Sequence, residues 1–441
     1  MPRDNLKWLR LLFAPAWIFV VSVYLCSHGD AKESKLSKRP NIFIFMADDQ
    51  YKPTVGCYGA NPSYTPNIDQ LAKEGLLFTR CFTPSSICTP NRGAFLSGML
   101  PLKNGAHANH AGFFDGVKSL PNYMKELGYR ACLFNKEGIR KASDIYKWEF
   151  QFKESKIPLP GALDPPSNRH LMTRYDEMEA IMTSEDPRPF CIMHATRLPH
   201  TPYMGRLPSG LIGYDASNYS TDQELGRSLA LLKKHGLSDS TIVIYVNDNE
   251  AGAARTKYTL YDTGIIVPCI VRWPGQVRAS TVTDAMVSIL DFLPTLVEIA
   301  GGGIDPDWDG KSMLDVWSGI SNKQHEELYF SYTGVTVGRR HEKTPFPVRA
   351  YRTDRYKYIR NINHTIGHPM QSGIDLPAEE LYDIQVDPRE QINLAGDPRF
   401  QSIKQRLSQQ VDKWMKKTND RAIESELATL RKYADLDESK K

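Results

Sequence analysis

After Asn41 the chain is apolar without a break from Ile42 to Ala47, and a second such run follows from Ile242 to Val246 after Thr241. A strand with no alternation of polar and apolar positions is buried on both faces, as in the middle of a parallel sheet. Both runs stop at clusters of polar residues, Asp48-Asp49-Gln50 and Asn247-Asp248-Asn249. Shorter runs at Gly75–Thr79, Tyr129–Phe134, Pro189–His194 and Ile270–Trp273 read as further strands. Between them the period lengthens to that of helices. Thr65-Pro66-Asn67 opens one over Ile68–Glu74, and Leu120–Gly128 forms another with Gly128 as its C-cap. A third is expected over Thr221–Gly236, Thr221 capping it and Glu224 completing a capping box, and a fourth over Val287–Ala300. Strands alternating with helices predict an α/β fold, a mainly parallel sheet flanked by helices.

Near Lys311–His325 the pattern changes. Leu328–Phe330, Pro347–Arg352, Tyr356–Ile359 and Glu380–Asp383 are short strands at hairpin-like spacing, followed by a helix over Phe400–Lys417. They predict a smaller C-terminal α+β domain with an antiparallel sheet. The expected division is residues 39–320 and 321–441, with a charged, peripheral tail from Asn419.

Composition changes this picture little. The 441 residues are 41% hydrophobic and 24% charged, as in ordinary globular proteins, and the net charge of +4 gives no reason to expect a nucleic-acid partner. The N-terminus adds more. Arg3, Lys7 and Arg10 precede an apolar stretch over Leu11–Leu25, and small residues follow at Ser27, Gly29 and Ala31. About fifteen apolar residues are short for a membrane span and suit a secretory signal over residues 1–31, with an uncleaved anchor as the alternative. Export to the periplasm or the medium is therefore expected, with membrane contact only through that segment. The seven cysteines (26, 57, 81, 88, 132, 191 and 269) show no paired metal-binding spacing.

The strand-end acids are the first candidate chemistry. Adjacent carboxylates at the C-terminal end of a buried strand repel unless a positive charge sits between them, and such strand ends are where open α/β sheets bind ligands. Asp48, Asp49, Asp248 and Asn249 are all oxygen donors, which suits Ca²⁺ or Mg²⁺. The second candidate is Cys88-Thr89-Pro90-Asn91-Arg92. Pro90 favours a helix start, which puts Cys88 at a helix N-terminus, where an anion is stabilised, with Arg92 one turn later.

Cys-x-Pro-x-Arg resembles the signature of type I sulfatases, and other blocks of that family appear in order: Thr65-Pro66-Asn67-Ile68-Asp69, Lys136, Pro199-His200-Thr201-Pro202, Asp248-Asn249, Lys257 and Asp387-Pro388-Arg389-Glu390. The resemblance runs from Arg39 to about Pro398. It implies an alkaline-phosphatase-like fold and a Cys88 oxidised to formylglycine by a formylglycine-generating enzyme. The hydrated aldehyde would attack sulfur beside a divalent cation held by Asp48, Asp49, Asp248, Asn249 and residue 88. Arg92, Lys136 and Lys257 would hold the charges of the nucleophile and sulfate, and His200 would protonate the leaving group. Two positions depart from the pattern: Gly138 stands where the family carries a His, and Glu250 where it carries a Gly. A base near residue 88 would then come from His107 or His110.

Within the family, Lys103-Asn104-Gly105, Arg255-Thr256, Arg349–Thr353, Arg360–Asn363 and Glu380–Asp383 resemble heparan N-sulfatases. That resemblance implies sulfate esters or sulfamates of a sulfated carbohydrate as substrate. A phosphate or phosphonate ester hydrolase of the same superfamily and a sulfated-glycan-binding homologue stay open.

Overall fold

The structure is a computed structural model that describes residues 39–140, 147–162, 170–338, 344–368 and 376–434. The expected signal or anchor lies outside the described residues. None of the described helices is long and apolar enough to cross a membrane. Arg39–Lys441 form one compact unit.

The larger sheet contains β1 (Asn41–Asp48), β2 (Leu76–Phe82), β3 (Arg130–Asn135), β4 (Phe150–Phe152), β5 (Phe190–Pro199), β6 (Thr241–Asn247), β7 (Ile266–Arg272), β8 (Thr281–Thr283) and β9 (Val287–Ser288). Its strands run in the order β4-β3-β5-β1-β6-β7-β2-β8, with β9 beside β2. Only β7 runs antiparallel to its neighbours. β1 is central, parallel to β5 on one side and β6 on the other. Its unbroken apolar run is explained by what covers each face. Ile42, Ile44 and Met46 join one hydrophobic cluster, containing Phe95 and Phe292; Phe43 and Phe45 join another, containing Leu71 and Leu225.

The predicted elements form with two differences. The third helix begins at Gly213 and runs to Lys234, so Thr221 lies inside it and donates its hydroxyl to the Ser217 carbonyl. Residues 216–222 look too polar for a core-facing helix. They are buried because they meet polar backbone, as when Asn218 bonds Gln50 and the Thr54 carbonyl. The expected Val287–Ala300 helix starts only at Phe292; its first residues are β9 and a tight turn in which Asp291 accepts from the Ser288 amide.

The second sheet is antiparallel, in the order β10 (Glu327–Tyr332), β11 (Val348–Thr353), β12 (Tyr356–Asn361), β13 (Glu379–Asp383). The Gln401–Lys417 helix packs on it, Trp414 stacking on Tyr329 with ring centroids 5.7 Å apart. Its other face shares a cluster with Phe82 at the end of β2 and with Ile87, Leu260 and Tyr261 of the larger sheet's loops. The segment after Asn419 is not a peripheral tail. It forms a helix, Ile423–Lys432, with Glu426 fully buried.

Candidate active site

Three elements meet at the C-terminal edge of β1 and β6. β1 delivers the buried Asp48 and then Asp49, whose φ of +63 turns the chain sharply. β6, in register with Ala47 opposite Asn247, delivers Asp248 and Asn249. The Cys88–Ser97 helix begins at the same edge after an extended Ile87, and its first residue points inward. Cys88 Sγ lies 3.7 Å from one oxygen each of Asp48 and Asp49. Burial pushes this thiol far above the ordinary range, against the pull of Lys136 and Lys257. An unmodified Cys88 is therefore protonated and a poor nucleophile.

The acids are balanced by bases from separate parts of the chain. Burial alone would raise the Asp48 carboxyl. The Lys136 ammonium at 2.5 Å, with Arg92 and His200, outweighs burial and holds Asp48 well below the usual carboxylate range. Lys257 Nζ donates to both Asp49 oxygens at 2.6 Å and lies 3.7 Å from Cys88 Sγ. Arg92, fully buried, donates Nε to Asp248 at 2.8 Å. The other Asp248 oxygen accepts from the Asp49 amide. Burial raises the Asp248 carboxyl despite Arg92. At the end of β5, His200 Nδ1 lies 2.7 Å from the Thr201 carbonyl. A carbonyl only accepts, so Nδ1 carries hydrogen and Nε2 faces Asp49 Oδ2, 3.4 Å away.

The strand-end donors suit a cation. One atom each of Asp48, Asp49, Cys88 and His200 lies within 4.8 Å of the others, a group that does not include the expected Asp248. Asn249 Nδ2 donates to Asp49 at 2.7 Å, while its Oδ1, fully buried, has no hydrogen-bond partner. A buried amide oxygen without a partner is costly, and a bound cation satisfies it. Asp248 keeps lone pairs beyond those used by Arg92 and the Asp49 amide.

A cavity of about 660 Å³ opens above this cluster. Its wall carries Lys136, Arg140, Lys153, Arg197 and Lys257 with one acid, Glu137; behind the wall Lys136, Lys257 and Arg197 are paired with Asp48, Asp49 and Glu154.

The sulfatase family model matches residues 40–302, more than half the chain and all of the strand-end cluster. The chain belongs to the sulfatase family. A second model, N-sulphoglucosamine sulphohydrolase C-terminal, matches residues 255–417. An ulvan-active sulfatase of Formosa agariphila is 33% identical over 88% of this chain and 82% of its own. Human N-sulphoglucosamine sulphohydrolase is 27% identical over 86% of this chain and 90% of its own. Solved structures agree on the fold. One, in complex with its substrate D-glucosamine-2-N,6-O-disulfate, has a TM-score of 0.70 at 20% identity, covering 88% of this chain and 99% of that one. The phosphonate monoester hydrolase of Agrobacterium radiobacter has a TM-score of 0.67 at 17% identity, covering 86% and 96%. As a sulfatase, the protein hydrolyses sulfuric esters.

One expectation of this sulfatase's sequence is overturned by its geometry, and three further positions are placed by it. His107 does not line the site; it is buried, its Nε2 bonds Thr429 at 2.7 Å, and it faces a different cavity. Burial also lowers its pKa, to about 4. His110 does line the active cavity, at the rim, with the amide of this residue accepted by the Thr89 hydroxyl. Glu250 is not a cluster ligand. Both its oxygens accept from the Lys52 amide, closing the turn after β1, and burial raises its pKa far above the carboxylate range. At Gly138 no side chain fits: φ is +78, and a Cβ would lie 2.2 Å from Arg92 Cδ. A histidine here would meet the Arg92 side chain from a backbone conformation that favours glycine. Asn91 escaped the sequence reading. Its Nδ2 donates to the Asp248 and Ser85 carbonyls and ties the Cys88 helix to β6. Its place inside the Cys-x-Pro-x-Arg block was the available signal. Lys153 and Arg197 gave none, since a single surface base looks like any other.

Proposed function

We propose that this sulfatase removes sulfate from a sulfated carbohydrate, as an ester or a sulfamate. The observation that carries the reading is Cys88 Sγ at 3.7 Å from Asp48, Asp49 and Lys257 on the floor of a base-lined cavity. The match to the N-sulphoglucosamine sulphohydrolase C-terminal model and the glycan-active relatives support a sugar substrate.

Residue 88 converted to formylglycine would supply the nucleophile, and a Ca²⁺ (or Mg²⁺) held by Asp48, Asp49, Asp248, Asn249 and residue 88 would supply positive charge beside it. The chain's own groups do the rest. Lys136 and Lys257 bring two ammonium groups to the cluster edge and orient the sulfate oxygens, neutralising the charge that builds on them. Arg92 holds Asp248 and keeps the acids in place without reaching the cavity. His200, held through Nδ1–H, presents Nε2 to the site and, in its imidazolium form, gives the Nε2 proton to the departing sugar oxygen or nitrogen and is left neutral with its hydrogen on Nδ1. The bases Arg140, Lys153 and Arg197 hold further anionic groups of the sugar.

The test is sulfate release from a panel of N- and O-sulfated glucosamine oligosaccharides and ulvan fragments, run beside a phosphate diester and a phosphonate monoester. Mass spectrometry of the residue-88 peptide from the native host accompanies it. Sulfate release with a formylglycine mass is expected. Full activity with an unmodified thiol, or preferential turnover of the phosphorus esters, overturns the reading.

A further inference from the structure

A second cavity, of about 400 Å³, lies between the segment that follows the Cys88 helix and the Ile423–Lys432 helix. Lys103, Lys417, Arg421 and Lys432 line it, and no acidic residue does. The nearest acids do not cancel this charge. Asp309 is 3.8 Å from both Lys103 and Lys417, and Glu424 is 3.4 Å from Arg421. Four bases thus face two acids. Phe114 adds an apolar ring, 42% exposed, with Lys432 Nζ 5.4 Å from its centre. An exposed ring rimmed by ammonium groups matches a ring sugar carrying anionic substituents: the ring takes the apolar face and the bases take the sulfates. His107 closes the cavity floor with a buried Nδ1 that has no hydrogen-bond partner.

The cavity neighbours the active site along one loop. Asn109 and His110 line the active cavity, and His107 and Phe114 of the same loop line this one. Tyr433 stands at the junction. Arg140 of the active cavity lies 6.0 Å from its ring centre, and Lys432 lies 5.6 Å from the same ring. The Tyr433 hydroxyl accepts from the Gly112 amide, which fixes the ring between the two cavities. Arg140 and Lys432 therefore set positive charge on either side of Tyr433, between the two cavities.

We propose that this cleft is a second, non-catalytic subsite that holds a distal stretch of a linear sulfated polysaccharide while another residue of the same chain occupies the active cavity. The inference rests on the reading of the substrate as a sulfated carbohydrate. Chains long enough to span both cavities bind more tightly than short ones, and the gain weakens with salt.

The test uses full-length protein carrying Cys88→Ala, so that binding is read without turnover. A heparin octasaccharide and a heparin disaccharide are titrated by calorimetry, with and without the triple substitution Lys417→Ala, Arg421→Ala, Lys432→Ala. All three side chains are exposed, and a Lys417→Arg, Lys432→Arg variant controls for structure by keeping the charge. The triple variant is expected to lose roughly tenfold in octasaccharide affinity and nothing for the disaccharide, while the arginine variant binds as the parent does. Undiminished octasaccharide binding in the triple variant, or no octasaccharide binding in the parent, overturns the proposal. Sulfate release by the unsubstituted enzyme is measured separately. Loss of binding in the triple variant without any sulfate release would keep the cleft and remove the catalytic reading; sulfate release with unchanged binding would do the reverse.

Discussion

Gly138 shows how one backbone position can rewrite a site. With φ at +78 and Arg92 Cδ 2.2 Å from where a Cβ would lie, any side chain must displace the guanidinium that holds Asp248. Gly138→Ala is expected to destabilise the protein by about 1–3 kcal/mol, read by urea unfolding, and to lower sulfate release. Gly138→His should do worse, not restore a family function; an active, fully stable histidine variant would contradict the geometry. Asn249 offers the complementary test. Its Oδ1 has no partner among the described residues, so Asn249→Ala should lower metal affinity by roughly 10- to 100-fold, beyond the modest stability lost with the Nδ2 bonds to Asp49 and the Glu250 carbonyl. Metal content by elemental analysis, set beside the unfolding midpoint, decides it. Unchanged metal content would remove Asn249 from the ligand set.

At the scale of elements, the second sheet acts as a clamp on the loop that carries Lys257. Asp262, at the end of that loop, receives Arg352 of β11 and Lys357 of β12, each at 2.9 Å, and its amide donates to Glu390. Arg255 donates to the Glu390 carbonyl and lies 3.6 Å from the Tyr261 ring centre, while the Tyr261 hydroxyl donates to Glu380 of β13. Asp262→Ala leaves the buried Arg352 without its acid, while Lys357 keeps Glu390 at 2.8 Å, and uncovering one such buried charge typically costs about 3–5 kcal/mol. It should also loosen Lys257. The expected result is a lower unfolding midpoint together with reduced sulfate release at saturating substrate. A stability loss with unimpaired turnover would mean that the loop is held by other contacts.

For the whole molecule, buried glutamates set a pH dependence. Burial raises Glu426 to about 8 and Glu224 to about 7, from an ordinary 4.5. The folded carboxyls keep their protons to neutral pH or above, whereas the unfolded chain releases them near 4.5. Between those limits the folded state binds more protons, so stability falls as pH rises. Glu426→Gln keeps an acceptor for the Phe346 amide and removes the titration. Unfolding free energies measured at about pH 5.5 and about pH 8.5 should drop less in this variant than in the parent, by an amount on the order of 2–4 kcal/mol. Equal drops would show that Glu426 is ionised in the fold.

The sequence by itself determined the central strands, the strand-end acids and the Cys88 block, because each is local. An unbroken apolar run has one explanation in a sheet, and paired carboxylates at its end need a cation. The antiparallel C-terminal sheet and its helix were legible for the same reason, their periods and turns being short-range. Tertiary structure alone decided the rest. Helix 213–234 hid its first two turns because Asn218 and Ser217 are buried against backbone polar groups that no periodicity reveals. Glu250 read only as a departure from the family pattern until the Lys52 amide, 198 residues away in sequence, was seen to hold it. His107 and His110 are three positions apart, yet one faces Thr429 and the other the active cavity. The direction of a loop side chain is set by what packs against it, and here that partner is a helix more than 300 residues later.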